Sequence, residues 1–407
     1  MENKMEFPFN KVVGGDVGRK EEMKEYWRRD VKRLSEKNGE ILKDLELELS
    51  EEEREDIEMI GGYVNVIASR YGAEEKPATE VVLLEEGGVS KMTGGKFRSG
   101  ACSQYQRSII MDESPSRLAF ATTLAHEMFH LAGYTTLRFS KNENDVYLSR
   151  TGITMESKDG DVEYFKEIEE ALVSRAEHML FDEYLCKDPR YADEIAKTDF
   201  VKKWLRKSFE AYGTFSREQE EFLDSVYSFP DIDELIEKLE GNESEQFKFG
   251  YLHGYVDEML EEESVIFHER RGERKKFDSL VDSIMENSAG KYTDRQEILD
   301  LFMRAHFSGK LLPLARVVEQ SMGKGSFREV AENFASYYDN AQEDMDGQSR
   351  ENEEGNLDSV HSVEEFNRQD MEELLAKRKA EAEELARRQK EKIEMLEKAE
   401  KDGKLTF

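Results

Sequence analysis

The 407-residue sequence has little of several features that mark common classes of protein. It contains two cysteines, Cys102 and Cys186, so a disulfide framework is not indicated. No apolar run approaches the roughly 20 residues that a membrane-spanning helix needs, and the polar start of the chain does not resemble a signal peptide. These absences predict a cytoplasmic protein that does not associate with membranes.

Basic residues are also few relative to acidic ones. The chain has 59 basic and 91 acidic residues, which gives a net charge of −32. Because proteins bind nucleic acid largely through its phosphates, a chain of this charge is a poor partner for nucleic acid, and we expect the acidic excess to serve solubility. The length leaves room for two or three domains and a sizeable core.

Histidine is scarce, with seven residues, yet two of them lie four apart in the segment His126-Glu127-Met128-Phe129-His130. On a helix, both imidazoles project from the same face and can bind one Zn²⁺. Glu127 lies beside them and can act as general base on a metal-bound water. The alternative interpretation is an amphipathic helix that carries two ordinary histidines.

The neighbouring sequence predicts the elements around this segment. Ser114-Pro115-Ser116 supplies a turn and an N-cap for the helix with the two histidines, and Gly133 suits the residue after its end. A capping box at Ser50 and Glu53 begins an earlier helix. The other predicted elements are strands at 80–84 and 105–111, a hairpin over 134–154 and a helix over 162–185.

The order of a helix, a few strands and a two-histidine helix resembles that of zincin metallopeptidases. A catalytic zinc usually takes three protein ligands. One zincin class places a third histidine six residues beyond the second, where this chain has Thr136, a poor zinc ligand. Another class, the gluzincins or thermolysin-like enzymes, takes a glutamate from a later helix. The segment Ile168-Glu169-Glu170-Ala171-Leu172-Val173-Ser174 resembles that helix.

The resemblance implies a zinc metallopeptidase in which His126, His130 and Glu170 hold Zn²⁺ and Glu127 is the catalytic base. Two positions depart from the family pattern. Family members often have asparagine in place of Glu169, and a carboxylate that orients a ligand histidine in place of Ser174. Glu169 is the alternative third ligand, because it lies nearer the apolar stripe of its helix.

The sequence also suggests residues that could bind the substrate or stabilise the reaction. In zincins the strand before the metal helix can pair with an extended substrate, and here that role falls to about Ser108–Met111. The candidates for stabilising an oxyanion are Tyr134, Tyr147, Tyr164 and Arg175. The isolated histidines are interpreted as surface or packing residues: His178, His253, His268, His306 and His361.

The sequence divides into five predicted regions. Residues 1–50 form an N-terminal helical segment, 51–186 the zincin-like metallopeptidase domain and 187–340 a helical lobe. Residues 341–361 are predicted to form an acidic linker. Residues 362–407 form a charged helix without a sustained heptad, which indicates a solvated single helix or weak coiled coil that can recruit a protein partner.

We therefore expect an α+β fold, with a zincin-like domain of small mixed sheet and helices, followed by a mostly helical region and the charged C-terminal helix. The expected activity is hydrolysis of peptide bonds in a peptide or protein substrate. Two alternatives stay open: a catalytically silent zincin-fold binding or regulatory module, and a structural metal site. Glu127 argues against the silent module, since metal binding alone does not require it.

Overall fold

The chain divides into two compact units, residues 1–338 and 339–407. The computed structural model describes residues 7–13, 20–76, 79–139 except 96 and 98, 146–157, 161–212, 232–240 and 271–337, with shorter pieces between 219 and 256. The predicted linker and charged C-terminal helix lie outside the described residues. The described part mixes helices with two small sheets, which confirms the predicted α+β class.

Two helices and two short strands begin the fold: β1 (Lys11–Val13), α1 (Lys20–Leu42), β2 (Glu46–Leu47) and α2 (Glu51–Arg70). Helix α1 continues through Gly39, where a Cβ would meet nothing within 4 Å. The capping box of α2 is confirmed. The Ser50 hydroxyl accepts a hydrogen bond from the Glu53 amide, and the Glu53 carboxylate accepts one from the Ser50 amide.

The first sheet has four strands in the order β2-β3-β5-β4. Its further members are β3 (Glu80–Leu84), β4 (Gly100–Ser103) and β5 (Ser108–Asp112), with the short helix α3 (Gly88–Thr93) after β3. Strand β5 runs parallel to β3 and antiparallel to β4. The prediction that Ser108–Met111 pairs with a substrate is therefore wrong, since both edges of β5 are already occupied. Strand β4 lies at the end of this sheet instead.

Helix α4 (Arg117–Ala132) follows β5 and carries the two histidines. Ser116 is its N-cap, as predicted, and its hydroxyl accepts a hydrogen bond from the Ala119 amide. Almost every residue from Leu118 to Leu131 is buried, so α4 is a central helix and not the amphipathic surface helix of the alternative interpretation.

The second sheet has six strands in the order β1-β6-β7-β8-β9-β10. Its later members are β6 (Thr135–Phe139), β7 (Val146–Thr151), β8 (Thr154–Glu156), β9 (Val162–Tyr164) and β10 (Ser336–Tyr337). The predicted start of the next helix at Val162 is wrong, because β9 occupies those residues and Phe165 adopts a φ of 62°. Helix α5 therefore runs from Lys166 to Glu183.

The remaining described elements are helical: α6 (Ala192–Tyr212), α7 (Ile232–Glu240), α8 (Arg271–Glu286), α9 (Arg295–Ser308), α10 (Leu311–Met322) and α11 (Ser326–Asn333). Asp294 caps α9 by accepting a hydrogen bond from the Gln296 amide. Gly325 precedes α11 with a φ of 96°, while the Ser326 hydroxyl donates to the Val318 carbonyl.

The main hydrophobic core joins α2, α4 and α5 to the helices α8–α11. A separate small core belongs to residues between 201 and 256. Among the described residues, the predicted helical lobe thus contributes to two cores, and its later half packs directly on the helices that carry the histidines and Glu170.

Candidate metal centre

Helices α4 and α5 pack against each other and bring together the three residues predicted to bind zinc. The Nε2 atoms of His126 and His130 lie 3.6 Å and 3.2 Å from Glu170 Oε2. One ligand atom from each residue lies within 4.8 Å of the other two. His130 and Glu170 are buried, and His126 is slightly exposed. The cluster is thus open to solvent on the side of His126.

The opposite nitrogen of each imidazole contacts a second carboxylate. His130 Nδ1 lies 3.3 Å from Glu169 Oε1, and His126 Nδ1 lies 3.1 Å from Glu177 Oε2. In the neutral imidazole, a carboxylate that accepts a hydrogen bond from Nδ1–H leaves the Nε2 lone pair directed at a common point with Glu170. Glu169 therefore lies behind His130, and the geometry favours Glu170 as the third ligand.

The sequence interpretation missed Glu177. The family pattern directed attention to Ser174, yet the carboxylate that contacts His126 comes one turn later on α5. Residues 170, 174 and 177 share one face of a helix, because they are four and three positions apart. That spacing was the signal in the sequence that could have identified it.

Glu169 connects α4 to the turn between β7 and β8. Its Oε2 accepts hydrogen bonds from the amides of Ile153 and Thr154, each at 3.0 Å. Burial raises the pKa of Glu169, but the hydrogen bond with His130 and nearby imidazoles outweigh it and lower the pKa to about 2. Glu169 is therefore a fixed anion behind His130.

His306, interpreted from the sequence as a packing residue, is fully buried behind the same carboxylate. Its Nδ1 lies 3.9 Å from Glu169 Oε2, and its Nε2 lies 3.4 Å from the carbonyl of Phe129. Gly152 makes this approach possible: it has a φ of 56°, and a Cβ there would collide with His306 and lie 2.5 Å from Glu169 Oε2. Burial lowers the pKa of His306 to about 4, so this imidazole is neutral at pH 7.

Among the described residues, the remaining isolated histidine, His178, does not join the cluster. His178 packs against the ring of Tyr227 and accepts a hydrogen bond from Arg274. His253, His268 and His361 lie outside the described residues.

The donor set fits a zinc ion. Two imidazole nitrogens and one carboxylate oxygen converge, which is a common ligand set of catalytic zinc and leaves a coordination position open. The surrounding field also favours a cation. Burial lowers the pKa of His126, yet hydrogen bonds to Glu170 and Glu177 outweigh it and raise the pKa to about 10.

Glu127 faces β4 from the adjacent position on α4. A Cβ on Gly100 would lie 3.4 Å from Glu127 Oε1 and 3.0 Å from Thr123 Cγ2, so glycine lets the strand pass close to this carboxylate. The Cys102 thiol donates a hydrogen bond to Glu127, and burial together with this carboxylate raises the pKa of the thiol. The candidate base is thus held against the end strand of the sheet.

Two of the predicted oxyanion candidates contact other residues, and the other two are strand residues. Arg175 pairs with Asp278 at 2.5 Å, and the Tyr134 ring lies under the Arg150 guanidinium. Tyr147 lies opposite Arg138 in the second sheet, and Tyr164 lies opposite Met155. A cation that the sequence interpretation overlooked contacts the cluster: Lys166 Nζ lies 3.0 Å from Glu170 Oε1.

Within the described residues, no helix has both the length and the apolar character needed to cross a membrane. Comparisons of the chain with protein-family models, with curated protein sequences and with solved structures found no match in any of the three. A functional assignment for this chain therefore depends on the geometry of the cluster.

Proposed function

We propose that the protein is a zinc-dependent hydrolase of peptide bonds. The observation that carries the proposal is the convergence of His126 and His130 Nε2 with Glu170 Oε2, with Glu127 on the same helix. A structural zinc site would need a fourth protein ligand. Among the described residues, the cluster that could hold a metal has three members, which suits a catalytic site.

The carboxylates around the cluster have two roles in this proposal: they orient the histidines and they transfer a proton. Glu177 and Glu169 hold the two imidazoles in the tautomer whose Nε2 is available for the ion. Zn²⁺, when bound, supplies Lewis acidity and brings the pKa of water toward neutrality. Glu127 accepts the proton of the water that attacks the peptide carbonyl and then delivers it to the leaving amine.

The proposed substrate is an extended peptide that pairs with β4. The Asp112 amide donates to the Ser99 carbonyl, so residues 99 and 112 form a hydrogen-bonded pair. Bonding alternates along an antiparallel pair, and the backbone groups of Gly100 and Cys102 therefore point away from β5. A peptide on that side would lie beside Glu127, which accepts a hydrogen bond from the Cys102 thiol and lies close to Gly100.

The substitution Glu127→Gln tests the proposal. Glutamine has nearly the same size, so we expect the variant to keep its zinc and its melting temperature. An amide cannot accept the proton of water at neutral pH, and hydrolysis of a peptide library should therefore fall by about 10²–10⁴-fold. The exposed Glu58 on α2 offers a matched control, Glu58→Gln, which should keep full activity.

The assay separates an enzyme from a silent binding module. Elemental analysis should find one zinc per chain in the parent and none in a His126→Ala/His130→Ala double variant. A zinc-free parent, or equal rates for the parent and Glu127→Gln, would refute the proposal. Partners that bind both proteins equally and are never cleaved would favour the binding module.

A further inference from the structure

Lys166 is the first residue of α5 and lies one turn before Glu170. Its ammonium contacts Glu170 Oε1 at 3.0 Å, whereas the other oxygen of that carboxylate, Oε2, faces the two histidines. The Lys166 side chain is 31% exposed and that of Glu170 is 6% exposed. Part of the Lys166 side chain is therefore exposed to solvent, while its ammonium contacts the buried cluster.

The backbone around Lys166 is held from outside its own helix. The amides of Phe165 and Glu167 donate to the carbonyls of Ala331 and Phe334, at 3.4 Å and 3.3 Å. Phe165 is fully buried with a φ of 62°, a conformation that bulky residues rarely adopt. These contacts fix the first turn of α5, so Lys166 extends from a rigid base.

Metal binding alone does not account for a lysine at this position. A positive charge beside a ligand carboxylate repels a cation, so Lys166 weakens the attraction of the cluster for zinc. An anion that forms during the reaction would gain from the same charge. Hydrolysis of a peptide bond creates such an anion on the carbonyl oxygen.

We propose that Lys166 stabilises the oxyanion of the peptide carbonyl during hydrolysis. This role rests on the proposed hydrolase function. The oxygen of water forms a bond to the carbonyl carbon, the π electron pair moves to the carbonyl oxygen, and the water proton goes to Glu127. The Lys166 ammonium donates a hydrogen bond to the resulting oxyanion. The C–N bond then breaks, and Glu127 returns the proton to the amine.

The test compares Lys166→Met and Lys166→Arg with the full-length, zinc-loaded parent. Lys276→Met is the matched control. Lys276 lies on α8 and pairs with Glu167 of α5, and not with Glu170. Three quantities are measured: the zinc dissociation constant, the affinity for inorganic phosphate as a small oxyanion, and kcat and KM. The kinetic constants are measured for an internal peptide with both ends blocked and for the same peptide with a free carboxyl end.

In Lys166→Met we expect kcat to fall by about 10²–10³-fold, the usual effect of removing one oxyanion donor. Phosphate affinity should fall by about tenfold, the size of one charge-assisted hydrogen bond. Zinc affinity should stay equal or rise, since a repelling charge is gone. Lys166→Arg should recover part of kcat, and Lys276→Met should match the parent.

Several outcomes would overturn the role of Lys166 alone. A Lys166→Met variant that hydrolyses the blocked peptide at the parental rate would do so. A fall in zinc affinity with unchanged phosphate affinity would show that Lys166 only positions Glu170. A loss confined to peptides with a free carboxyl end would assign Lys166 to substrate carboxylates instead. A parent that binds no zinc or cleaves no peptide would refute the hydrolase function itself, and the oxyanion role with it.

Discussion

Each imidazole of the cluster contacts two carboxylates of α5. Its Nδ1 contacts Glu177 or Glu169, and its Nε2 lies beside Glu170. A neutral histidine donates from one ring nitrogen only. A carboxylate at Nδ1 therefore keeps the proton on that nitrogen, so that Nε2 carries the lone pair once the imidazole is neutral. The pairing also limits rotation of the rings, so little conformational entropy remains to be lost when a metal binds.

This arrangement predicts the effect of substitutions behind the histidines. Glu177→Gln and Glu169→Gln should each weaken zinc binding by about 10–100-fold, because each removes the anion that orients one imidazole. Glu170→Gln should weaken it more than Glu169→Gln, because it removes a donor from the cluster. A competition assay with a chromogenic chelator measures all three dissociation constants.

Ser174→Ala is the control for these variants, since Ser174 lies between Glu170 and Glu177 on the same face of α5 and is also buried. Its zinc affinity should match that of the parent. Parental affinity in Glu177→Gln would show that His126 needs no carboxylate, and a loss in Glu169→Gln larger than that in Glu170→Gln would transfer the ligand role to Glu169.

Among the elements, α4 has an unusual end. Gly133 has a φ of −56°, so the helix does not close with the left-handed glycine that was predicted from the sequence. Side chains take over the last carbonyls instead. Lys76 donates to Leu131 and Gly133, and Arg107 donates to Leu131 at 2.6 Å. Cationic donors at a helix C-terminus also interact favourably with its dipole.

Burial also weakens the positive charge of Lys76 in this cap. It lowers the pKa of Lys76 to about 7, with help from the charge of Arg107. The cap nevertheless holds the end of α4 one turn from His130, whose own carbonyl accepts a hydrogen bond from Gln104. The end of the helix that presents His130 is therefore fixed by side chains from two preceding loops.

The position of β4 at the end of its sheet predicts how a peptide substrate binds. If a peptide substrate pairs with the outward backbone groups of Gly100 and Cys102, then N-methylation of one substrate amide should remove a hydrogen bond and block close approach. A scan of singly N-methylated versions of a cleaved peptide should find one or two positions where KM rises by about tenfold, the size of one well-formed hydrogen bond.

The unmethylated peptide and the positions whose amides point away from β4 serve as controls in that scan. Equal KM values at every position would show that the peptide does not bind as an added strand. Such a result would leave the metal centre and Glu127 untouched, because neither depends on backbone pairing.

At the scale of the whole molecule, residues 326–337 support the metal centre, although they lie far from it in the sequence. Strand β10 pairs with β9, and the carbonyls of Ala331 and Phe334 accept hydrogen bonds from the first turn of α5. Val330 and Phe334 are buried in the main core with α4 and α5. Residues 326–337 therefore belong to the unit that holds the metal centre.

Two truncations test this dependence. A variant that ends at residue 355 should keep the parental melting temperature and zinc content, because the chain divides near residue 338 and residues 341–361 are polar and acidic. A variant that ends at residue 325 loses α11, β10 and several buried side chains, each worth about 2–5 kcal/mol when truncated. It should unfold at a lower temperature and retain little zinc.

Thermal unfolding followed by circular dichroism, with zinc analysis of the purified variants, measures both effects. Parental stability in the variant ending at 325 would show that α11 and β10 are dispensable. A large fall in the variant ending at 355 would show instead that residues beyond it stabilise the body.

Local physical chemistry explains what could be read from the sequence. The capping box at Ser50, the N-cap at Ser116 and the helix of the two histidines depend on residues within four positions of one another, and the structure has all three. The resemblance to the gluzincin helix pointed to Glu170, which lies beside the histidines in the structure. The predicted helix start at Val162 was wrong because this segment pairs with β8 and with the distant β10 instead.

The sequence by itself thus determined the α+β class and the helix that carries both histidines, and the resemblance to the gluzincins implied the third residue of the cluster, Glu170. Only the tertiary structure decided that Glu177 and Glu169 orient them, that Lys166 contacts the cluster, and that β4 rather than β5 lies at the end of its sheet. The reason is distance along the chain. His126 and Glu177 are 51 positions apart, and Phe129 and His306 are 177 apart, so no local pattern encodes these contacts. They exist because burial of the helices in one core brings the side chains together.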